Sequence, residues 1–275
     1  MKIFETVSFH IVKPCNMKCK FCYATFEDMH VGAQMSLEHA CTVITKLYLS
    51  GVQKITFAGG EPLLYKHIDD CISFSKGLGM TTSIITNGSL ITHQWLVKMQ
   101  GKLDWIGISV DSLDPRTNDL IGRRTKMKID YHALVNNINF YGFKLKINTV
   151  VNSFNKDEEM NEFLNIANPS RWKVFQALRV EGQNDSQFDE VKVSDDEFEA
   201  FLERHSSQVS LVPESNESMT ASYLLIDPLG RLFENSLGSH TYSDSLINNN
   251  IEHCLSQISL DRDMFLKRGG VYEWA

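Results

Sequence analysis

Residues 13–26 read KPCNMKCKFCYATF, with cysteines at positions 15, 19 and 22. The chain has six cysteines in all, so half of them fall within eight positions. The apolar run SFHIV (8–12) just before them reads as a strand, which puts the spacing C-x3-C-x2-C in the loop that follows it. Three thiolates from one loop can hold three corners of an iron–sulfur cluster and leave its fourth iron to a small molecule. Structural zinc is the rival, but it wants four ligands. His10 or His30 could supply the fourth, though neither has zinc-finger spacing. The third reading is that of small buried residues, the one given to Cys41, Cys71 and Cys254.

The rest of the chain narrows the setting. Its 275 residues, 43% of them hydrophobic, suffice for one large domain or two small ones. A formal charge of −7 excludes a general polyanion binder, and so argues against nucleic acid as a partner, while leaving room for a local basic pocket. No run of about 18 apolar residues appears, so no membrane span is expected. MKIFETVSFHIV lacks a basic segment followed by an apolar one, so no secretory signal is expected. A cytoplasmic location follows as an expectation, and there clustered cysteines read as metal ligands before disulfides.

Strand-like and helix-like segments alternate. Strands are expected at 8–12, 54–60, 81–86, 104–110, 144–151 and 172–178. Helices are expected at 36–50, 66–77, 91–99, 130–140 and 156–167. Six strands with helical crossovers predict an α/β fold on a parallel sheet, either open or curled into a partial barrel. Ligand sites then belong at the carboxyl ends of the strands. After about residue 180 the pattern changes to a polar stretch, a helix over 194–205, and a hairpin at SYLLIDPLGRLFE with Pro228 and Gly230 in its turn. The expected division is a core over 1–180 and an extension over 181–275 packed on it.

Cations recur on strand faces. Lys54 begins the second strand; Lys146 and Asn148 share one face of the fifth, and Arg171 and Lys173 one face of the sixth. Such a face is either solvated or, inside a barrel, matched to an anion. Lys267-Arg268-Gly269-Gly270 pairs two cations with two glycines, a weak phosphate-loop pattern by itself.

C-x3-C-x2-C with Phe21 before the last cysteine resembles the signature of the radical S-adenosylmethionine (SAM) superfamily. Gly59-Gly60-Glu61-Pro62, at the end of the second strand, resembles that superfamily's GGEP motif. KITFAGGEP, IITNGSL (84–90), LIGRR (120–124), KINTVVNSFN (146–155), RWKVFQ (171–176), LVPESN (211–216), SYLLID (222–227) and MFLKRGG (264–270) resemble the viperins, in order and over nearly the whole chain. The resemblance implies a partial (βα)6 radical SAM barrel whose C-terminal extension closes the substrate side. It implies a [4Fe-4S] cluster on Cys15, Cys19 and Cys22, and SAM held by Gly59, Gly60, Glu61, Asn87 and Ser109. It implies a nucleoside triphosphate gripped by Lys54, Lys146, Asn148, Arg171, Lys173, Lys267, Arg268, Gly269 and Gly270, with Tyr223 nearby. The implied activity converts CTP, or in relatives UTP or GTP, to a 3′-deoxy-3′,4′-didehydro analogue that terminates viral RNA chains. The implied partners are a flavodoxin- or ferredoxin-like electron donor and iron–sulfur delivery machinery. The sequence departs from animal viperins at Ser8, at Ala58 and across SLGSHTYSDSL (236–246), which carries no Lys or Arg. Strand one begins by residue 8, and the chain stops at Trp274-Ala275. The alternatives are a peptide-modifying radical enzyme, disfavoured by the lack of C-terminal cysteines beyond Cys254, and a non-enzymatic metal or nucleotide module.

Overall fold

The computed structural model describes residues 4–126 and 128–274; Met1 to Ile3, Met127 and Ala275 lie outside them. Ten strands form one sheet in the order β10-β9-β8-β1-β2-β3-β4-β5-β6-β7. The six expected strands are β1 (Thr6–Val12), β2 (Lys54–Gly59), β3 (Thr81–Thr86), β4 (Trp105–Ser109), β5 (Lys144–Val151) and β6 (Arg171–Gln176). They pair in parallel, each with the next in sequence. A seventh parallel strand, β7 (Leu211–Glu214), extends β6. On the other side β8 (Leu225–Ile226) pairs in parallel with β1, and the hairpin of β8 and β9 (Arg231–Glu234) is continued by β10 (Thr241–Ser245). The result is the βα-barrel-like sheet of the sequence expectation, with the expected hairpin in β8 and β9 and two strands beyond it, β7 and β10. β7 escaped because LVPE is short and carries Pro213, which suits a strand paired on one side only.

Alternation along β5 shows how the sheet sorts its side chains. Leu145, Ile147, Thr149 and Val151 are buried, whereas Lys144, Lys146, Asn148 and Val150 on the opposite face are partly exposed. The apolar face packs on helices such as Tyr131–Phe140, whose Leu134, Val135 and Ile138 belong to the same core. The polar face looks into the curl of the sheet. The helices start where short polar side chains cap them: Ser36 accepts from His39 N, Asp130 from Ala133 N, and Ser194 forms a full capping box with Glu197. The stretch read as a polar lead-in holds a further short helix, Asp185–Val191.

The last residues return to the start of the chain. Phe265 stacks on Phe4 at 4.4 Å, and Arg262 pairs with Glu5. Trp105 Nε1 donates to the Trp274 carbonyl at 2.9 Å. Because Trp105 opens β4, this places the tail at the amino end of the curl, opposite the cysteine loop.

Candidate active site

The cysteine loop leaves the carboxyl end of β1 and is fixed by its own backbone neighbours. Lys13 Nζ donates to the carbonyls of Phe26 and Met29 at 2.6 and 2.7 Å and so closes the loop at its base. Gly60 N donates to Val12 O and Glu61 N to Pro14 O, so the end of β2 lies directly against the loop. A Cβ on Gly60 would stand 2.2 Å from the carbonyl oxygens of both Lys13 and Pro14. The glycine pair is therefore a steric requirement of this crossing.

Glu61 is fully buried and knits the neighbouring strand ends together. Its carboxylate accepts from Thr86 Oγ1 at 2.7 Å, Asn87 N at 2.9 Å and Leu63 N at 3.1 Å. Burial pushes its pKa up, and these donors work against that. Asn87 in turn donates to the Asn16 side chain at 2.8 Å, inside the cysteine loop. From the third side, Lys18 N and Lys20 N donate to the carbonyls of Gly122 and Ile121. Next to them Arg123, absent from the sequence-derived site, forms a buried ion pair with Asp111 at 2.8 Å and donates to Ser109 O at 2.8 Å. Gly59, Gly60, Glu61, Asn87 and Ser109 thus all lie at strand ends around the cysteine loop.

Cys15 is exposed, and Cys19 and Cys22 are half-buried. Burial pushes the Cys19 thiol up to about 12 and the Cys22 thiol to about 11, while the Arg123 guanidinium pulls Cys19 the other way. Among the described residues, no three His, Cys, Asp or Glu side chains converge on a single-ion site. A four-iron cluster takes each thiolate on a separate iron, so the donor set of one loop fits it.

A second site lies inside the curl. A cavity of about 40 Å³ is lined by Lys54, Lys146, Lys173, Arg268 and Tyr223, with Tyr272 at its side. Arg171 joins them, its guanidinium 4.2 Å from the Tyr272 ring centre and its Nη2 donating to Gly269 O at 2.9 Å. Lys54 is enclosed by the rings of Tyr272 and Trp105, at 4.4 and 4.6 Å, and donates to the Tyr272 hydroxyl. Burial, with Lys146 and Arg171 nearby, pulls its pKa down to about 6. Burial likewise lowers Lys146 to about 8. Asn148 faces the same side, and its Oδ1 is buried without a partner. The strand-end rule covers only the cysteine half of the site: Lys54 and Arg171 open their strands, so the cations reach down to the amino ends.

Two features of this cavity were not foreseen. Glu214, the last residue of β7, is fully buried among the cations, where it pairs with Lys173 and accepts from Tyr223. A search for cations alone passes over it. The glycines after Arg268 serve the helix Arg262–Lys267. Gly269 has φ +72°, and the N–H groups of Gly269 and Gly270 donate back to Leu266 O and Phe265 O. This is a helix-ending motif, and it occupies the N–H groups that a phosphate loop would offer. Lys267 is exposed and does not line the cavity.

Comparison with known proteins agrees with this arrangement. The model of the radical SAM superfamily matches residues 11–167. An S-adenosylmethionine-dependent nucleotide dehydratase of Flammeovirga pacifica is 42% identical, covering 99% of this chain and 97% of its own. The chain belongs to the radical SAM nucleotide dehydratases. A dehydratase of Lacinutrix mariniflava is 44% identical over 98% of the chain, which spans 58% of that relative's length. The dehydratase RSAD2 of Siniperca chuatsi, of the viperin group, is 39% identical, with 98% of this chain and 79% of its own covered. Among solved structures, Streptococcus suis SuiB bound to its precursor peptide SuiA superposes with a TM-score of 0.75 at 18% identity, covering 96% of this chain and 66% of that one. At that identity the likeness concerns the fold. Membership makes this an enzyme of the lyase type whose superfamily depends in general on SAM and an iron–sulfur cluster. No helix among the described residues is long and apolar enough to cross a membrane.

Proposed function

We propose that this enzyme dehydrates a ribonucleoside triphosphate, CTP before UTP or GTP, to the 3′-deoxy-3′,4′-didehydro analogue. The observation that carries this reading is the cation cluster beneath the cysteine loop. Lys146, Arg171, Lys173 and Arg268 face one carboxylate, Glu214, and Lys54 lies beside Lys146 and Arg171. Fully protonated, they leave four positive charges in a partly dry cavity. A nucleoside triphosphate brings about four negative ones, and clustered cations in low dielectric hold such an anion strongly.

Cys15, Cys19 and Cys22 would hold the [4Fe-4S] cluster, and Gly59, Gly60, Glu61, Asn87 and Ser109 would surround SAM bound to it. Together these groups supply a one-electron cleavage that yields a hydrogen-abstracting radical. The protein's own part is placement. The phosphates lie deep, toward Lys54 and Arg171, and the ribose is held between them and the cysteine loop. Asn148 offers its unpartnered oxygen at that intermediate level. Tyr272 and Trp274 close the amino end against water. Lys54, held low in pKa by burial, Lys146 and Arg171, and Lys146, held low by burial, Arg171 and Arg268, gain protons as the anion enters. An electron donor of the flavodoxin or ferredoxin type and iron–sulfur delivery proteins complete the cycle. The product has no 3′-hydroxyl to extend, which suits an antiviral chain terminator in the cytoplasm.

Lys146→Ala tests the cavity. The expected result is a nucleotide KM raised at least tenfold, or turnover lost, with iron content and cluster spectrum unchanged; about 1.4 kcal/mol of lost binding gives that factor. Loss of iron instead would make Lys146 a structural residue and remove it from the substrate site.

A further inference from the structure

Glu214 is buried directly behind Lys173, Tyr223 and Arg268 of a cavity that suits an anion, and its charge opposes one. Its three partners come from separate parts of the chain: Lys173 on β6, Tyr223 just before β8, and Arg268 beyond the last helix. They also hold one another. Lys173 Nζ donates to the Tyr223 hydroxyl at 2.8 Å, and the Arg268 guanidinium lies 3.5 Å from the centre of the Tyr223 ring. Arg268 donates twice to Ser222 O, at 2.7 and 3.0 Å, so its own backbone segment is anchored beside Tyr223. One carboxylate therefore ties three groups of the cavity wall into a single arrangement.

We propose that Glu214 is a positioning residue for nucleotide recognition: its carboxylate holds the Lys173 ammonium, Tyr223 and Arg268 in place before the triphosphate arrives. This rests on the nucleotide reading of the cavity. Lys173 faces Glu214 on β7, Tyr223, Arg268 of the tail and Lys146 on β5; Lys146, Arg171, Tyr23 and Tyr272 also face Glu214. Burial, Arg268 and Lys146 all favour the neutral amine, and Glu214 is the acid that acts against them. Burial favours protonated Glu214 too, but Lys173 and Arg268 hold its carboxylate below the usual range. Burial and the neighbouring cations carry the Lys173 pKa well below its ordinary value even beside Glu214; without that charge nothing among these neighbours would oppose loss of the proton, and an entering phosphate would have to restore it.

The test compares wild type with Glu214→Gln, which keeps the shape and removes the charge. The affinity for CTP and for inorganic tripolyphosphate is measured by calorimetry from pH 6 to pH 9. Wild-type binding weakens with pH as Lys54 and Lys146 lose protons. In Glu214→Gln the weakening steepens by up to about tenfold per pH unit, one further proton, and Glu214→Asp returns to the wild-type slope. Equal slopes in wild type and Glu214→Gln overturn the proposal, even if the variant melts earlier. A measurement on the wild type alone serves if that variant does not fold. In buffers of different protonation heat, binding should take up no more than two protons, and a third would mean that Lys173 is neutral beforehand and the proposal is wrong. If the slope difference holds for tripolyphosphate while no nucleotide is turned over, the nucleotide reading fails and the role of Glu214 stands. If the wild type binds neither probe, both fall.

Discussion

Lys54 shows what a single residue can cost its own fold. It is 3% exposed, lies among other cations and has aromatic rings around it. Its folded pKa, about 6, lies below the ordinary 10.5, so the unfolded chain holds more protons between those values. Stability therefore rises with pH across that window, and the penalty is full below about pH 6. Lys54→Met should raise Tm in the absence of nucleotide, by more at pH 6 than at pH 9, while weakening triphosphate binding. A lower Tm at pH 6 would show that the ammonium stabilises the empty fold. The same residue marks what could be read in advance. Its cationic character and strand position are plain in KITFAGG, and so are Lys146, Arg171 and Lys173 at alternate positions. Glu214 was hidden because a carboxylate near phosphate cations runs against the pattern being sought. Arg123 was quoted within LIGRR without a role, because only the fold brings Asp111 and the cysteine loop to it.

At the scale of elements, the crossing of β2 and the cysteine loop is the tightest joint. Gly60→Ala puts a methyl 2.2 Å from two backbone oxygens, which cannot rotate away as a side chain can. The loop must shift, and the three cysteines with it. After anaerobic reconstitution the variant should hold iron no better than Cys15→Ala. Gly77→Ala, at the end of the helix Ile68–Gly77 with nothing within 4 Å of the new methyl, should keep full iron and gain up to about 1 kcal/mol in stability. Full iron in Gly60→Ala would show that the loop tolerates the displacement. The first six strands were legible because each is a short apolar run bounded by turn residues. The last third was less so: the hairpin of SYLLIDPLGRLFE showed in its turn, but LVPE is too short for a period to show, and the pairing of β7 and β8 depends on the edges left by β6 and β1. The KRGG pattern was visible too; its glycines finish a helix, and Gly270 also lines the cavity.

At the scale of the molecule, one curled sheet separates two chemistries along its axis. The cysteine loop and the ends of β2, β3 and β4 form the carboxyl side, the half proposed for the cluster and SAM. The cations, Glu214 and the aromatic tail form the inner and amino side, where an anion fits. A substrate that spans both must present phosphate at one end and a reactive carbon at the other, which is the shape of a ribonucleoside triphosphate. Sequence motifs named the first half directly. The cations of the second half were legible too, from strand faces and the resemblance; the fold added Glu214 and the aromatic tail. The most direct test of the whole reading is an anaerobic assay of the reconstituted enzyme with SAM, a one-electron reductant and each of the four ribonucleoside triphosphates in turn. The reading requires 5′-deoxyadenosine release that rises with one of them, CTP first, together with a nucleotide product lighter by one water; release that none of the four stimulates would contradict it.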